Sequence, residues 1–152
     1  MLTPPATDVT QGVGAGPDAI VLDTNIVLDL CVFEDARCAS LRARLEARTL
    51  RWLATPPMRE ELLRVLDYPQ VARRLVQRGI GVEVVMAWFD GLAHMQIPAP
   101  KAPYTCKDPD DQKFIDLAVA HTAQLLSKDH AVLCMAKRLQ RLGVTAASIS
   151  TP

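Results

Sequence analysis

Short apolar segments alternate with longer amphipathic segments along most of this chain, and this alternation limits its folds more than any other feature. The first apolar segment, residues 19–22, is continuous, as in a strand that is buried on both faces. Further strand candidates are residues 52–54, 95–97, 124–127 and 144–149. Strands that alternate with helices predict an α/β fold, here a three-layer α/β/α sandwich with a mostly parallel sheet of four to five strands.

The helical segments between these strands have recognisable boundaries. Thr55 and Pro56 are typical of a helix start, and Pro69 ends that helix while opening the next. Gly143 is typical of a helix end. After a first helix that follows Asn25, helices are predicted over residues 36–50, 56–66, 69–78, 82–94, 109–122 and 130–142.

Length and composition indicate one soluble domain of 152 residues with no room for a second. Residues 1–18 are rich in Pro, Gly, Thr and Ala and predict a flexible tail, which leaves 19–152 as the domain. No secretory signal and no membrane span is predicted, and the four cysteines lack zinc-binding spacing. A cytoplasmic protein is therefore expected.

Seventeen acidic and seventeen basic residues cancel, which argues against a protein that coats nucleic acid.

Two acidic residues follow predicted strands directly. Asp23 comes after the first strand and Asp129 after the strand at 124–127. Ligands of open parallel sheets bind beyond the carboxyl ends of the strands, so both are candidate functional residues. Taken singly, each is explained equally well as a helix N-cap.

Two further acids lie on helices, beside apolar faces. Glu61 borders the apolar stripe of its helix and lies too far along it to cap the start, so it needs a partner. Asp111 lies on the same side as the apolar residues of the helix after the Pro-rich loop, although a capping box that starts at Asp108 is an alternative explanation. Asp116 lies on the far side and is expected to be solvated.

Four carboxylates at one edge of a sheet repel one another unless a cation neutralises them. Oxygen ligands favour Mg²⁺ or Mn²⁺ over zinc held by Cys or His. Such an ion lowers the pKa of a water molecule and stabilises the charge that builds on a phosphate. The predicted chemistry is hydrolysis of a phosphodiester.

Four motifs in this order resemble the PIN-domain family. They are the segments 21–25 (VLDTN), 55–62 (TPPMREEL), 108–114 (DPDDQKF) and 126–129 (LSKD). The resemblance runs from about residue 19 to residue 150. The third motif is similar to the subgroup of toxins from bacterial toxin–antitoxin pairs.

The resemblance implies cleavage of RNA that depends on Mg²⁺ or Mn²⁺. It also implies roles for individual residues: metal ligands at Asp23, Asp111 and Asp129, the helical glutamate at Glu61, and supporting residues at Asn25, Asp108 and Ser127. The chain departs from the family pattern at Ala131, where many members have another acid, and at Gln112, where Asn or Asp is common. Because this acid is missing, the sequence leaves open whether a second metal ion binds.

RNA is the expected substrate, and an antitoxin is the expected protein partner. The helices between residues 69 and 94 are the candidate surface for an antitoxin or a homodimer, and Arg42, Arg48 and Arg78 belong to basic groups that could line an RNA groove. The alternative function is a catalytically silent PIN fold that binds RNA or protein. A longer 5′-nuclease lacks support because no additional DNA-binding elements are present. A dehalogenase-type phosphatase would need Asp at position 25, where this chain has Asn.

Overall fold

A computed structural model describes residues 18–149 of the protein, and its five strands form one parallel sheet. The strands are β1 (Asp18–Leu22), β2 (Leu50–Ala54), β3 (His94–Met95), β4 (Gln124–Leu126) and β5 (Ala146–Ala147). Their order across the sheet is β3-β2-β1-β4-β5, with every neighbouring pair parallel. The predicted three-layer α/β/α fold is confirmed.

Eight α-helices connect the strands in the described part of the chain. They are α1 (Thr24–Cys31), α2 (Ala39–Glu46), α3 (Pro56–Val65), α4 (Pro69–Arg78), α5 (Val82–Leu92), α6 (Gln112–His121), α7 (His130–Leu133) and α8 (Ala136–Gln140). Short 3₁₀ helices precede α2 and α6, at Ala36–Cys38 and Pro109–Asp111. No helix within residues 18–149 is long and apolar enough to cross a membrane.

Strand β1 lies at the centre of the sheet and its last three residues are fully enclosed. Ile20, Val21 and Leu22 are at most 2% exposed, which requires helices on both faces. Val21 pairs with Leu53 of β2 on one side and with Leu125 of β4 on the other. From β1 the chain runs to β2 and β3 on one side, and it then crosses to β4 and β5 on the other side. Such a reversal point in the strand order is where open α/β sheets bind their ligands.

Two predicted helices are wrong in part. The helix predicted over 36–50 ends at Glu46, because Arg48 adopts a left-handed backbone conformation and Leu50 already belongs to β2. The helix predicted over 130–142 is interrupted between α7 and α8, where Met135 turns into the core. In both places packing against the sheet overrides the local helical pattern.

The strand at the start of the domain begins one residue earlier than predicted, at Asp18. The remainder of the predicted flexible tail, residues 1–17, lies outside the described residues. Cys31, Cys38 and Cys106 are buried and Cys134 is exposed, all as free thiols. The start of the strand therefore differs from the prediction by one residue, while the domain boundary and the flexible tail stay predictions.

The Pro-rich loop before α6 is held to that helix by two side chains. Gln112 accepts a hydrogen bond from the backbone N–H of Cys106 at 2.6 Å and donates to the carbonyl of Tyr104 at 3.1 Å. Asp116 accepts from the backbone N–H of Ala102 at 2.8 Å and from the Gln112 amide at 2.8 Å. The expectation that Asp116 is solvated is wrong, because the loop folds back over this face of the helix.

Replacing Asp116 with Ala should lower the free energy of unfolding by about 1–3 kcal/mol, because the N–H of buried Ala102 loses its acceptor. Urea unfolding followed by circular dichroism measures this change. Asp67→Ala, at an exposed residue, is the control and should change stability by less than about 0.5 kcal/mol. Equal stability of the two variants would contradict the assignment of Asp116 as the residue that holds the loop.

Candidate metal centre

Three aspartates converge at the carboxyl end of the central strands. Asp23 follows β1, Asp129 lies three residues after the last residue of β4, and Asp111 precedes α6. One carboxylate oxygen from each lies within 4.8 Å of the others. Because β1 and β4 are parallel neighbours, the loops after them meet at the same point of the sheet edge.

Asp23 is buried, and hydrogen bonds to β4 and to the residues after it hold Asp23 in place. Its backbone N–H donates to the carbonyl of Leu126 at 3.0 Å, which extends the β1–β4 pairing by one residue. Asp23 starts α1, but its side chain makes no capping hydrogen bond there. Burial raises the pKa of Asp23, the Ser127 hydroxyl and the nearby N–H of Asn25 oppose this, and the charges of Asp129 and Glu61 add to it.

Ser127 connects two of the three acids from a fully buried position. Its hydroxyl donates to Oδ2 of Asp23 at 2.6 Å and accepts from the backbone N–H of Asp129 at 2.9 Å. A hydroxyl can do both at once, whereas an alanine could do neither. Ser127 therefore orients Asp23 and the turn that carries Asp129.

Asp111 is the most strongly perturbed of the three acids. It is 7% exposed, and its Oδ2 atom has no hydrogen-bond partner among the described residues. Burial raises the pKa of Asp111 to about 8, helped by the adjacent Asp129 carboxylate and the charge of Asp23. Its side chain makes no capping hydrogen bond to α6, so the capping explanation fails for this residue.

The three aspartates fit a hard divalent cation. All the donors are carboxylate oxygens, the set that Mg²⁺ and Mn²⁺ prefer. An orphaned buried carboxylate oxygen is costly without a partner, and a cation at this point would satisfy it. The donor set lacks sulfur and imidazole, which does not favour zinc.

Glu61 stands beside the three aspartates and is held by other partners. The Thr24 hydroxyl donates to Oε2 at 2.5 Å, and the Lys113 ammonium binds Oε1 at 2.5 Å. Lys113 also donates to the carbonyl of Asp110. Lys113 belongs to the third motif, but the sequence interpretation gave it no role. The prediction that Glu61 needs a partner was the signal that could have pointed to Lys113.

The other predicted residues take smaller parts. Asp108 caps the 3₁₀ helix by accepting from the N–H of Asp110 at 3.0 Å, and Asp129 caps α7 by accepting from the N–H of Ala131 at 3.0 Å. The side chain of Asn25 is exposed at the rim. Asp129 therefore caps α7 and also belongs to the cluster, since its carboxylate has two oxygens.

A cleft of about 410 Å³ opens above the cluster. Its floor is strongly acidic, and one side wall is apolar and carries a single basic residue. The lining residues are Asp23, Thr24, Asn25, Leu28, Phe33, Glu61, Arg64, Val65, Tyr68, Gln70, Val71, Asp108, Asp110, Asp111 and Asp129. Such an excess of negative charge repels an anionic ligand unless a cation is bound first.

Comparison with known proteins agrees with the fold and the acidic cluster. The family described as "PIN domain" matches residues 19–131, and the chain belongs to this family. Its members are typically metal-dependent nucleases. A solved structure, VapBC2 from Rickettsia felis bound to a DNA fragment from their promoter, contains a similar chain with a TM-score of 0.59 and 11% identity. The match covers 87% of this chain and 99% of that one, and at this identity it shows the fold alone. No curated protein matches the chain.

Replacing Ser127 with Ala is expected to weaken binding of a divalent cation such as Mn²⁺ by about 10- to 100-fold, as is usual when a residue that orients a metal ligand is lost. Isothermal titration calorimetry with Mn²⁺ measures this effect. Ser40→Ala on α2, at an exposed residue, is the control and should leave the Kd unchanged. Unchanged Mn²⁺ affinity in Ser127→Ala would contradict its role in orienting Asp23.

Proposed function

We propose that this protein is an endoribonuclease that requires Mg²⁺ or Mn²⁺ and hydrolyses phosphodiester bonds at the three-aspartate cluster. The observation that carries this proposal is that Oδ2 of Asp111, a buried carboxylate oxygen in a cluster with two other acids, has no hydrogen-bond partner among residues 18–149. A protein that only bound RNA or protein would gain nothing from so costly an arrangement. Membership of a family of metal-dependent nucleases supports the same chemistry.

Asp23, Asp111 and Asp129 would hold the ion, which supplies an activated water and stabilises the charge on the phosphate that is attacked. Ser127 keeps Asp23 and the turn of Asp129 in place. Glu61, fixed by Thr24 and Lys113, borders the cleft and would face a bound phosphate from the α3 side. The chain thus contributes a rigid set of acceptors, which costs no reorganisation during the reaction.

The cellular role that we propose is that of the toxin in a toxin–antitoxin pair, in the cytoplasm. The structural similarity to a chain of the VapBC2 complex supports an antitoxin as the protein partner. The predicted homodimer surface on α4 and α5 is a further part of this proposal, since Val76 and Val84 are large apolar residues that are 80% and 51% exposed. RNA is the proposed substrate.

The test is cleavage of a panel of fluorescent RNAs by the purified full chain in Mg²⁺, in Mn²⁺ and in EDTA. Cleavage should require the metal and should be lost in Asp23→Asn. Asp18→Asn is a matched control, because Asp18 is exposed at the opposite end of the same strand and should leave cleavage unchanged. No cleavage with either metal, or equal cleavage by Asp23→Asn, would overturn the proposal in favour of a silent PIN fold that acts as a binding module.

A further inference from the structure

The cleft above the aspartates has a second surface that the proposed chemistry does not use. Its apolar wall is formed by residues of α1, α3 and α4 and the loops that follow them: Leu28, Phe33, Val65, Tyr68 and Val71. Phe33 is 38% exposed and Tyr68 is 48% exposed. Neither ring packs against another aromatic ring of the described residues, unlike Trp52, which contacts Trp88 and Phe89 in the core.

The backbone that carries Tyr68 is fixed on both sides. Its N–H donates to the carbonyl of Val65 at 2.9 Å, and its carbonyl accepts from the N–H groups of Val71 and Ala72 at 3.0 and 2.8 Å. The following Pro69 further restricts Tyr68 to an extended conformation, which it adopts. A half-exposed ring on a rigid backbone loses little entropy when a flat ligand stacks on it.

Phe33, the other aromatic residue of this wall, also lies on a backbone that is fixed by hydrogen bonding. Its N–H donates to the carbonyl of Leu28 at 2.9 Å, just beyond the end of α1. The next residue, Glu34, has a left-handed backbone conformation and pairs with Arg78. The two aromatic rings therefore belong to a preformed wall of the cleft.

Arg64 is the basic residue at this wall, one turn of α3 beyond Glu61. Its side chain is exposed and makes no hydrogen bond or ion pair with another described residue. Arg42, Arg48 and Arg78, which the sequence suggested for an RNA groove, instead bind the protein's own backbone carbonyls at 2.6–2.8 Å. Among these arginines, Arg64 has the guanidinium that is available to a ligand in the cleft.

We infer that this wall binds one unstacked nucleobase of the RNA, next to the phosphate above the three aspartates. The base stacks on Tyr68 and Phe33, while Arg64 binds a neighbouring phosphate. This inference rests on the proposed function, because it places the wall and the aspartates in contact with the same RNA. The wall requires an unpaired base, since a base within a duplex has no free face for an aromatic ring.

A nucleobase fits this wall better than a segment of another protein does. The cleft has the size of a small-ligand site, and the acidic floor continues directly into the wall. The unpaired cation of Arg64 complements a phosphate, and aromatic rings accept every base through its flat face. Gln70 adds a hydrogen-bonding group at the same rim.

The experiment is fluorescence anisotropy of a labelled 12-nucleotide RNA with the full chain that carries Asp111→Asn, in Mg²⁺, so that a cation offsets the acidic floor of the cleft while the substitution suppresses cleavage. Tyr68→Ala should raise the Kd for single-stranded RNA by about 5- to 100-fold, and Tyr68→Phe should restore it. The Kd for a duplex of the same sequence should not respond. Arg64→Gln should reduce the slope of log K against log salt by about 0.7, the loss of one phosphate contact to a single strand.

Ile97→Ala and Arg73→Gln, at exposed residues outside the cleft, are the matched controls and should leave the Kd and the salt slope unchanged. An unchanged Kd in Tyr68→Ala, or no RNA binding by the parent protein, overturns the inference and leaves the wall to a protein segment. If the wild type cleaves RNA while Tyr68→Ala binds it normally, only this inference fails. If RNA binds through Tyr68 but is never cleaved, the inference holds and the proposed function fails.

Discussion

Replacement of Asp111 by Asn is expected to reduce RNA cleavage by on the order of 1000-fold. The same change is expected to raise the thermal stability of the metal-free protein. Both effects have one cause, because Asp111 places a carboxylate in a buried position where only a cation relieves its cost. An amide has nearly the same shape, cannot ionise, and can donate a hydrogen bond to the adjacent Asp129 carboxylate.

The stability effect has a definite dependence on pH. The pKa of Asp111 in the folded protein is raised to about 8, well above the value in an unfolded chain. Between these two values the folded state binds more protons, so the wild-type protein loses stability as the pH rises towards about 8. The Asn variant lacks this loss, and its advantage should therefore be absent at about pH 4, grow until about pH 8 and stay level above that pH.

Differential scanning calorimetry in EDTA measures this advantage. At about pH 8 the midpoint of unfolding of Asp111→Asn should exceed that of the wild type by roughly 3–6 °C, which corresponds to about 1–2 kcal/mol in a chain of this size. Asp18→Asn should show no such gain, because that residue is exposed. A variant that is inactive but less stable than the wild type at this pH would argue that Asp111 is a structural residue.

Manganese binding is expected to strengthen by about 100-fold when the pH rises from about 6 to about 9. A proton on Asp111 competes with the cation, and a group with a pKa near 8 carries that proton almost completely at pH 6. At a pH two units below the pKa, about one hundredth of Asp111 is ionised, and the apparent affinity for Mn²⁺ falls by the same factor. This change in Mn²⁺ affinity can be measured without catalysis, because it depends on the protonation of Asp111 in the metal-free protein.

Isothermal titration calorimetry at several pH values, in buffers that differ in ionisation enthalpy, measures both the Kd and the protons released. At about pH 6 the wild type should release close to one proton for each Mn²⁺ bound, and close to none at about pH 9. Ser127→Ala, which retains all three aspartates, should bind more weakly but keep this pH dependence. Equal affinity at both pH values would contradict the raised pKa of Asp111.

Much of the fold was accessible from the sequence because the relevant signals are local. The continuous apolar run at 19–22 indicated a strand that is buried on both faces, and β1 is the central strand. Pro69 and Gly79 bound α4, whose predicted range of 69–78 matches the structure. The helix predicted over 130–142 failed because the break at Met135 depends on where the core accepts a side chain.

The acids were predicted by their position relative to strands and helices, whereas their partners were not. The Lys113–Glu61 pair joins residues 52 positions apart, and the Ser127–Asp23 hydrogen bond joins residues 104 positions apart. No periodicity along the chain encodes such distances. They depend on how α3 and α6 pack beside the sheet and on the register of β4 against β1.

The sequence by itself determined the α/β architecture and the family, and it predicted the four acids as site residues, since periodicity, turn residues and motifs reveal burial and local geometry. Only the tertiary structure separated the three aspartates that share a site from Glu61, which Thr24 and Lys113 hold beside them. The same packing left Tyr68 half-exposed over the cleft, and it gave Arg64 no side-chain partner among residues 18–149. The physical reason is that electrostatic and hydrogen-bond energies depend on distances of a few ångströms, and distances between remote residues exist only once the chain has folded.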